Sequence, residues 1–200
     1  SIDNDIIKSK CEEMSLLSPL IYIYNNGKQE DYFMPVTKLF DQYIKAFDIE
    51  SGQDFYSYYD KKKDISGLKN TKQYIGYKIL WYIKMCINGK KFPDIKMDVN
   101  NNKFKKAISQ ITYWLLTPRV FYDFVKFDTA NYFDILNQIF SNENLYNILE
   151  EASKTSDKIS NLAMLYVEDN KINDVSPVSL VEFLVNQCKK TRDETIQLYS

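Results

Sequence analysis

The sequence predicts an all-α protein, made of antiparallel helix pairs stacked as an α-solenoid fragment. Apolar residues recur at three- and four-residue spacing along nearly the whole chain, which is the signature of helices with a buried stripe. Three hydroxyl–proline dipeptides, Ser18-Pro19, Thr117-Pro118 and Ser176-Pro177, each precede an apolar stretch. A hydroxyl N-cap followed by proline in the first turn is a helix start, because proline's missing N–H has no partner to lose there. Only five glycines and five prolines occur, and no period-two alternation of useful length competes with this reading.

Each element has its own signal. After Ser18 a short helix carries Leu20, Ile21 and Ile23, with Gly27 as its C′ residue. Asp31 to Phe47 forms a second, with Val36, Leu39, Phe40, Tyr43, Ile44 and Phe47 on one stripe and Pro35 in the first turn. Gly52 to Lys63 holds a short aromatic helix through Phe55, Tyr56, Tyr58 and Tyr59. The most apolar segment, Thr71 to Asn88, reads as a helix buried on several sides: Ile75, Ile79, Tyr82, Ile83 and Cys86 line one side. Tyr77, Leu80, Trp81, Met85 and Ile87 fill most of the rest. Gly89 ends it, with Pro93 just beyond. Gly76, in its interior, is expected at a close approach of two helices, since glycine there costs about 1 kcal/mol relative to alanine.

The run Asn100-Asn101-Asn102 leads into a helix that turns Phe104, Ile108, Ile111, Trp114 and Leu115 inward. Pro118 opens a short helix with Val120, Phe121, Phe124 and Val125. Asp128 is the N-cap of the next, which buries Tyr132, Phe133, Leu136, Ile139 and Phe140. Further helices hold Leu145, Ile148 and Leu149, then Ile159, Leu162, Ala163 and Tyr166, with a last pair from Ser176. Helix pairs of this kind need neighbours to bury their faces, as in solenoids. A globular helical bundle is the alternative that the helices alone leave open. Residues 1–200 are expected to be a single helical segment cut from a longer protein, since the chain opens without Met.

Composition narrows the chemistry. Lysine and arginine number 26 against 27 acidic residues, a net charge of -1, so no bulk field attracts a polyanion or an acidic membrane. Apolar residues at 44% and charged residues at 26% are globular values. Histidine is absent, which removes the usual general base and the commonest zinc ligand. Cys11, Cys86 and Cys188 are odd in number and widely spaced, and read as packed free thiols of a reducing compartment. No phosphate loop, EF-hand or CxxC is present. The chain is therefore read as non-enzymatic, with no catalytic, cofactor-binding or metal-binding residue.

Two surface signals remain. Tyr56, Tyr58 and Tyr59, followed by Lys61, Lys62 and Lys63, are the candidate partner contacts, because exposed tyrosines anchor protein interfaces. Lys90-Lys91 before Phe92, and Lys103, Lys105 and Lys106 around Phe104, have the lysine–aromatic interleaving that tracks a phosphate backbone while bases stack on rings. Solvated helix ends explain most such lysines. A helical domain binding nucleic acid or anionic lipid through Lys61–Lys63 and Lys103–Lys106 is the alternative function.

Two segments carry a family resemblance. Gly76-Tyr77-Lys78-Ile79-Leu80-Trp81-Tyr82-Ile83 continues through Cys86-Ile87-Asn88-Gly89-Lys90-Lys91-Phe92-Pro93. Phe127-Asp128-Thr129 is followed by Tyr132 to Leu136 and Phe140. Together they resemble the central helical region of the eighth vacuolar protein sorting subunit, part of the endosomal CORVET tether. Leu17-Ser18-Pro19-Leu20-Ile21-Tyr22-Ile23-Tyr24-Asn25, with Asp31-Tyr32 and Pro35, is similar to the start of that family's clathrin-heavy-chain-like repeats. The resemblance spans residues 15 to 140. It implies a non-catalytic scaffold in vesicle-mediated transport to the vacuole or lysosome, cytoplasmic and peripheral on endosomal membranes. The partners it implies are the other subunits of the tethering complex, and an endosomal Rab GTPase bound through parts of the parent outside this chain. Nucleic acid is not expected, and membrane association is indirect.

Overall fold

The computed structural model describes residues 4–46, 71–98, 100–142, 144, 145 and 149. Among these the fold is all-α: six helices and one hairpin of two-residue strands. The chain divides into two compact units, Ser1–Ile111 and Thr112–Ser200.

In the first unit, α1 (Asn4–Glu13) precedes the first predicted start. It ends at Ser15, whose φ is 52°. There the Leu16 N–H donates to the Cys11 carbonyl (2.8 Å) and the Ser15 N–H to that of Glu12 (3.3 Å), the paired bonds of a Schellman stop. The chain re-enters a helix at once, so α2 (Leu17–Asn26) begins before Ser18, with Leu16 at the N-cap and no side-chain cap. Ser18 is thus inside the helix rather than capping it. Pro19 still falls in the first turn, where amide hydrogens lack intrahelical partners.

Gly27 closes α2 with extended backbone, φ -76° and ψ 175°, not in the left-handed conformation of a C′ glycine. Its reason is space: a Cβ there would stand 2.7 Å from the Ile23 carbonyl oxygen. The next helix, α3 (Met34–Tyr43), is shorter at both ends than the predicted Asp31–Phe47. Asp31 lies outside it and caps it from a distance, its Oδ1 accepting the N–H groups of Phe33 (2.9 Å) and Met34 (2.8 Å). Pro35 is in the first turn as expected.

The apolar segment forms α4 (Lys72–Ile87). Thr71 is its N-cap, with the side-chain oxygen accepting the Tyr74 N–H at 3.2 Å. Gly89, at φ 69°, takes the left-handed turn that ends it. Gly76 is buried within the helix. Lys90–Lys91 (β1) and Ile95–Lys96 (β2) then pair antiparallel, an element that the helical reading did not contain.

The helices of this unit pack in sequence order, α1 on α2, α2 on α3 and α3 on α4. Their direction can be read from cross-contacts. The Lys72 ammonium lies 5.9 Å from the Tyr43 ring, while Tyr82, a helix-length further on, bonds to Tyr32 just before α3. Order along one helix is reversed along the other, so α3 and α4 are antiparallel. Lys8 over the Tyr24 ring (4.9 Å) places α1 against α2 in the same way. Between them Leu20, Ile21, Val36, Leu39, Ile75, Ile79, Ile83 and Cys86 are essentially sealed from water. The short turn between α1 and α2 leaves antiparallel pairing as the natural geometry there.

Next comes α5 (Asn102–Leu115). Asn101 supplies its first side-chain acceptor, to the Lys103 N–H at 2.8 Å. Phe104, Ala107, Ile108 and Ile111 are its buried stripe in the first unit.

In the second unit α6 (Pro118–Ser141) runs as one stretch, broken at Asp128, whose φ of -157° and ψ of 87° are not helical. The predicted pair of helices is therefore present, joined without a loop. Asp128 caps the second of them: Oδ1 accepts the Asn131 N–H at 3.0 Å and Oδ2 the Asn131 side-chain amide at 2.7 Å. Thr117 occupies the N-cap position before Pro118 but makes no cap bond. Its hydroxyl donates instead to the Trp114 carbonyl at 2.7 Å, satisfying the end of the preceding helix. Tyr132, fully buried, donates to the Leu115 carbonyl at 2.6 Å and meets Phe121 edge-on at 5.9 Å. Trp114 is only half-buried, against the prediction, and rests against the Phe124 ring. Asn142 closes the stretch, accepting the N–H groups of Asn144 and Leu145. Cys188, the Ser176-Pro177 start and the helices predicted from Ile159 onward lie outside the described residues.

Candidate interaction surface

One buried polar junction ties the first unit together. Asn25, near the end of α2, is fully sealed from water. A sealed amide must find partners for both its oxygen and its nitrogen, or lose their hydration without return. Its Nδ2 donates to the Tyr82 hydroxyl (2.8 Å) and to the Asp31 carbonyl (3.3 Å), while its Oδ1 accepts the Phe92 N–H (3.1 Å). Tyr82 passes the bond on, donating to the Tyr32 carbonyl at 3.0 Å. Helix α2, the α2–α3 loop, α4 and the hairpin therefore meet on one side chain.

Around it, Asn26 Nδ2 holds the Phe92 carbonyl at 3.0 Å. Lys91 reaches the Asn25 carbonyl (3.4 Å) and forms an ion pair with Glu30 (2.8 Å). Tyr32 donates to the other oxygen of Glu30 at 3.1 Å. The Lys91 bond, aided by that of Tyr32 and opposed by partial burial, holds the Glu30 carboxyl below the usual range. Burial, with the Glu30 bond, pushes the Tyr32 phenol up to about 12. Burial raises Tyr82 too, and takes the Cys86 thiol to about 12. Cys86 and Cys11 are buried free thiols, kept from the thiolate form that chemistry would need.

The surface beside this junction is aromatic. Phe92 meets Tyr22 edge-on at 6.5 Å and Trp81 edge-on at 6.0 Å. The Lys78 ammonium stands 4.1 Å from the Trp81 ring centre and 5.8 Å from that of Phe92. Tyr22 is 50% exposed, Tyr77 47% and Trp81 42%. This corrects the prediction for α4: Tyr77 and Trp81 do not help to bury it but face outward. Apolar periodicity alone could not separate them from their neighbours, because the helix is apolar nearly all round.

The candidate contacts Tyr56, Tyr58, Tyr59, Lys61, Lys62 and Lys63 lie outside the described residues. Of the other lysine groups, Lys90 pairs with Asp94 at 2.9 Å and Lys91 with Glu30. Lys103, Lys105 and Lys106 are exposed, but Phe104 between them is 1% exposed. That ring belongs to the core and offers no face for a base to stack on. Among the described residues no cluster of three or more Cys, Asp or Glu side chains could hold a metal ion. No helix there is long and apolar enough to cross a membrane.

Stacked antiparallel helix pairs define an all-α protein of the helical-repeat class. The Vps8 central TPR family profile matches residues 1–123. The chain belongs to that family, as the resemblance of its α2, α4 and hairpin residues implied. No curated protein and no solved structure matches it.

Proposed function

We propose that this chain is a non-catalytic scaffold section of an endosomal membrane-tethering complex subunit, acting in vesicle-mediated transport to the vacuole or lysosome. Family membership over residues 1–123 carries the reading. The helix pairs support it: antiparallel repeats hold a fixed spacing and present side chains along an extended surface. Residues 1–200 are one section of a longer helical-repeat region. Its partners are the other subunits of the complex, while the Rab GTPase is bound by parts of the parent beyond it. The parent resides in the cytoplasm, peripheral on endosomal membranes, and its membrane association is indirect.

The test is made in the parent protein. Residues 1–200 are replaced by a flexible linker of matched length, and co-purification of the other subunits and endosomal clustering are measured. Loss of both is the expected result. Full tethering with the linker would end the scaffold reading, because a linker reproduces neither spacing nor surface.

A further inference from the structure

We propose that Tyr22, Lys78, Trp81 and Phe92 form a docking patch for a partner protein's peptide segment in which a carboxylate is flanked by apolar or aromatic side chains. This rests on the scaffold reading and names the kind of contact the scaffold offers.

Charge is the first argument. From Lys72 to Lys96 the chain carries Lys72, Lys78, Lys84, Lys90, Lys91 and Lys96 against the single acid Asp94, although the whole chain is at -1. Lys90 and Lys91 are neutralised by Asp94 and Glu30. No carboxylate among the described residues pairs with Lys78; its contacts are two aromatic rings. Partial burial lowers its pKa, and no acid among the described residues offsets the cost. An incoming carboxylate would supply the missing charge, in a setting where ring walls exclude water and strengthen the pair.

The arrangement also selects the class of partner. At roughly 100° per residue, Lys72, Lys78 and Lys84 project from α4 about 120° apart. They cannot form a stripe that follows a polyphosphate backbone or lies flat on an anionic bilayer. A single ammonium beside Trp81 and Phe92, with Tyr22 against the Phe92 ring, fits one acidic side chain with apolar neighbours. Tyrosine and tryptophan are also the residues that dominate protein-interface energetics. The patch is held rigid from beneath, since Phe92 is fixed through its N–H by Asn25 and through its carbonyl by Asn26. Little ordering free energy is then spent on binding.

The experiment is a random-peptide display selection on the 200-residue chain, with the enriched peptide then titrated by fluorescence anisotropy. Peptides with Asp or Glu beside Phe, Trp or Leu are expected to enrich. Lys78→Gln, Trp81→Ala, and replacement of the peptide's acid by its amide should each weaken binding about tenfold or more, with circular dichroism unchanged. Lys78→Gln is at a half-buried surface site and keeps the test valid should Trp81→Ala misfold. Failure of such peptides to enrich, or binding indifferent to Lys78→Gln, overturns the proposal. So does co-sedimentation with phosphatidylserine vesicles that depends on Lys78 when no such peptide is enriched. The linker replacement in the parent reads the scaffold role independently, so either reading can fail without the other.

Discussion

Asn25 and Tyr82, 57 positions apart in the chain, share a buried hydrogen bond of 2.8 Å on which the packing of α2, α4 and the hairpin converges. Tyr82→Phe removes the hydroxyl and leaves the Tyr32 carbonyl and one Asn25 amide hydrogen without a partner. A loss of about 1–3 kcal/mol in urea unfolding is expected. Asn25→Ala should cost more, since it also strands the Phe92 N–H. The double variant should lose less than the sum, because the two side chains serve one network. Strict additivity would mean that they act separately.

Asp128 should behave as a helix cap in the middle of α6. Asp128→Ala is expected to lower stability by about 1 kcal/mol, and Asp128→Asn by much less, since both residues cap well. Equal losses for the two variants would point to the charge rather than the cap.

Ser15 holds a left-handed backbone that costs an L-residue about 1–2 kcal/mol and glycine almost nothing. Ser15→Gly should therefore stabilise the chain by roughly 0.5–1 kcal/mol after the added freedom of the unfolded state is subtracted. A lower melting temperature for this variant would show that α1 does not stop as described.

Glu30 gives a pH signature. Its folded pKa lies below the ordinary carboxylate value, so it binds protons more weakly folded than unfolded. Its contribution is complete above the unfolded pKa and is lost as pH falls through the folded one. Glu30→Gln should remove that share, so that stability falls less steeply with pH below the usual carboxylate range. An unchanged acid limb in chemical denaturation at several pH values would contradict this.

What could be read from the sequence was local. Asp128 and Gly89 state their roles through residue type and position, and the structure uses both as expected. Ser18 misled because the turn that decides where α2 begins is made by Ser15, whose left-handed backbone carries no glycine to announce it. Gly27 was located correctly for the wrong reason, since crowding against Ile23 is not visible in composition. The Asn25–Tyr82 bond could not be seen at all. An asparagine near a helix end suits a solvated terminus equally well, and only the folded chain brings a tyrosine to it. The exposed aromatic patch was hidden for a related reason: ring side chains on an apolar helix look alike until the neighbours that cover some of them are in place.

The hairpin after α4 has one further consequence. A surface segment with a two-residue ladder is ordinarily where a protease cuts first, because a peptide must be drawn out extended before it can be cleaved. Here the Phe92 N–H and carbonyl and the Met97 N–H are all engaged, and freeing Phe92 dismantles the polar junction around Asn25. Lys90, Lys91 and Lys96 should therefore resist trypsin in the native protein. Lys28, exposed in the turn after α2, should be nicked well before them.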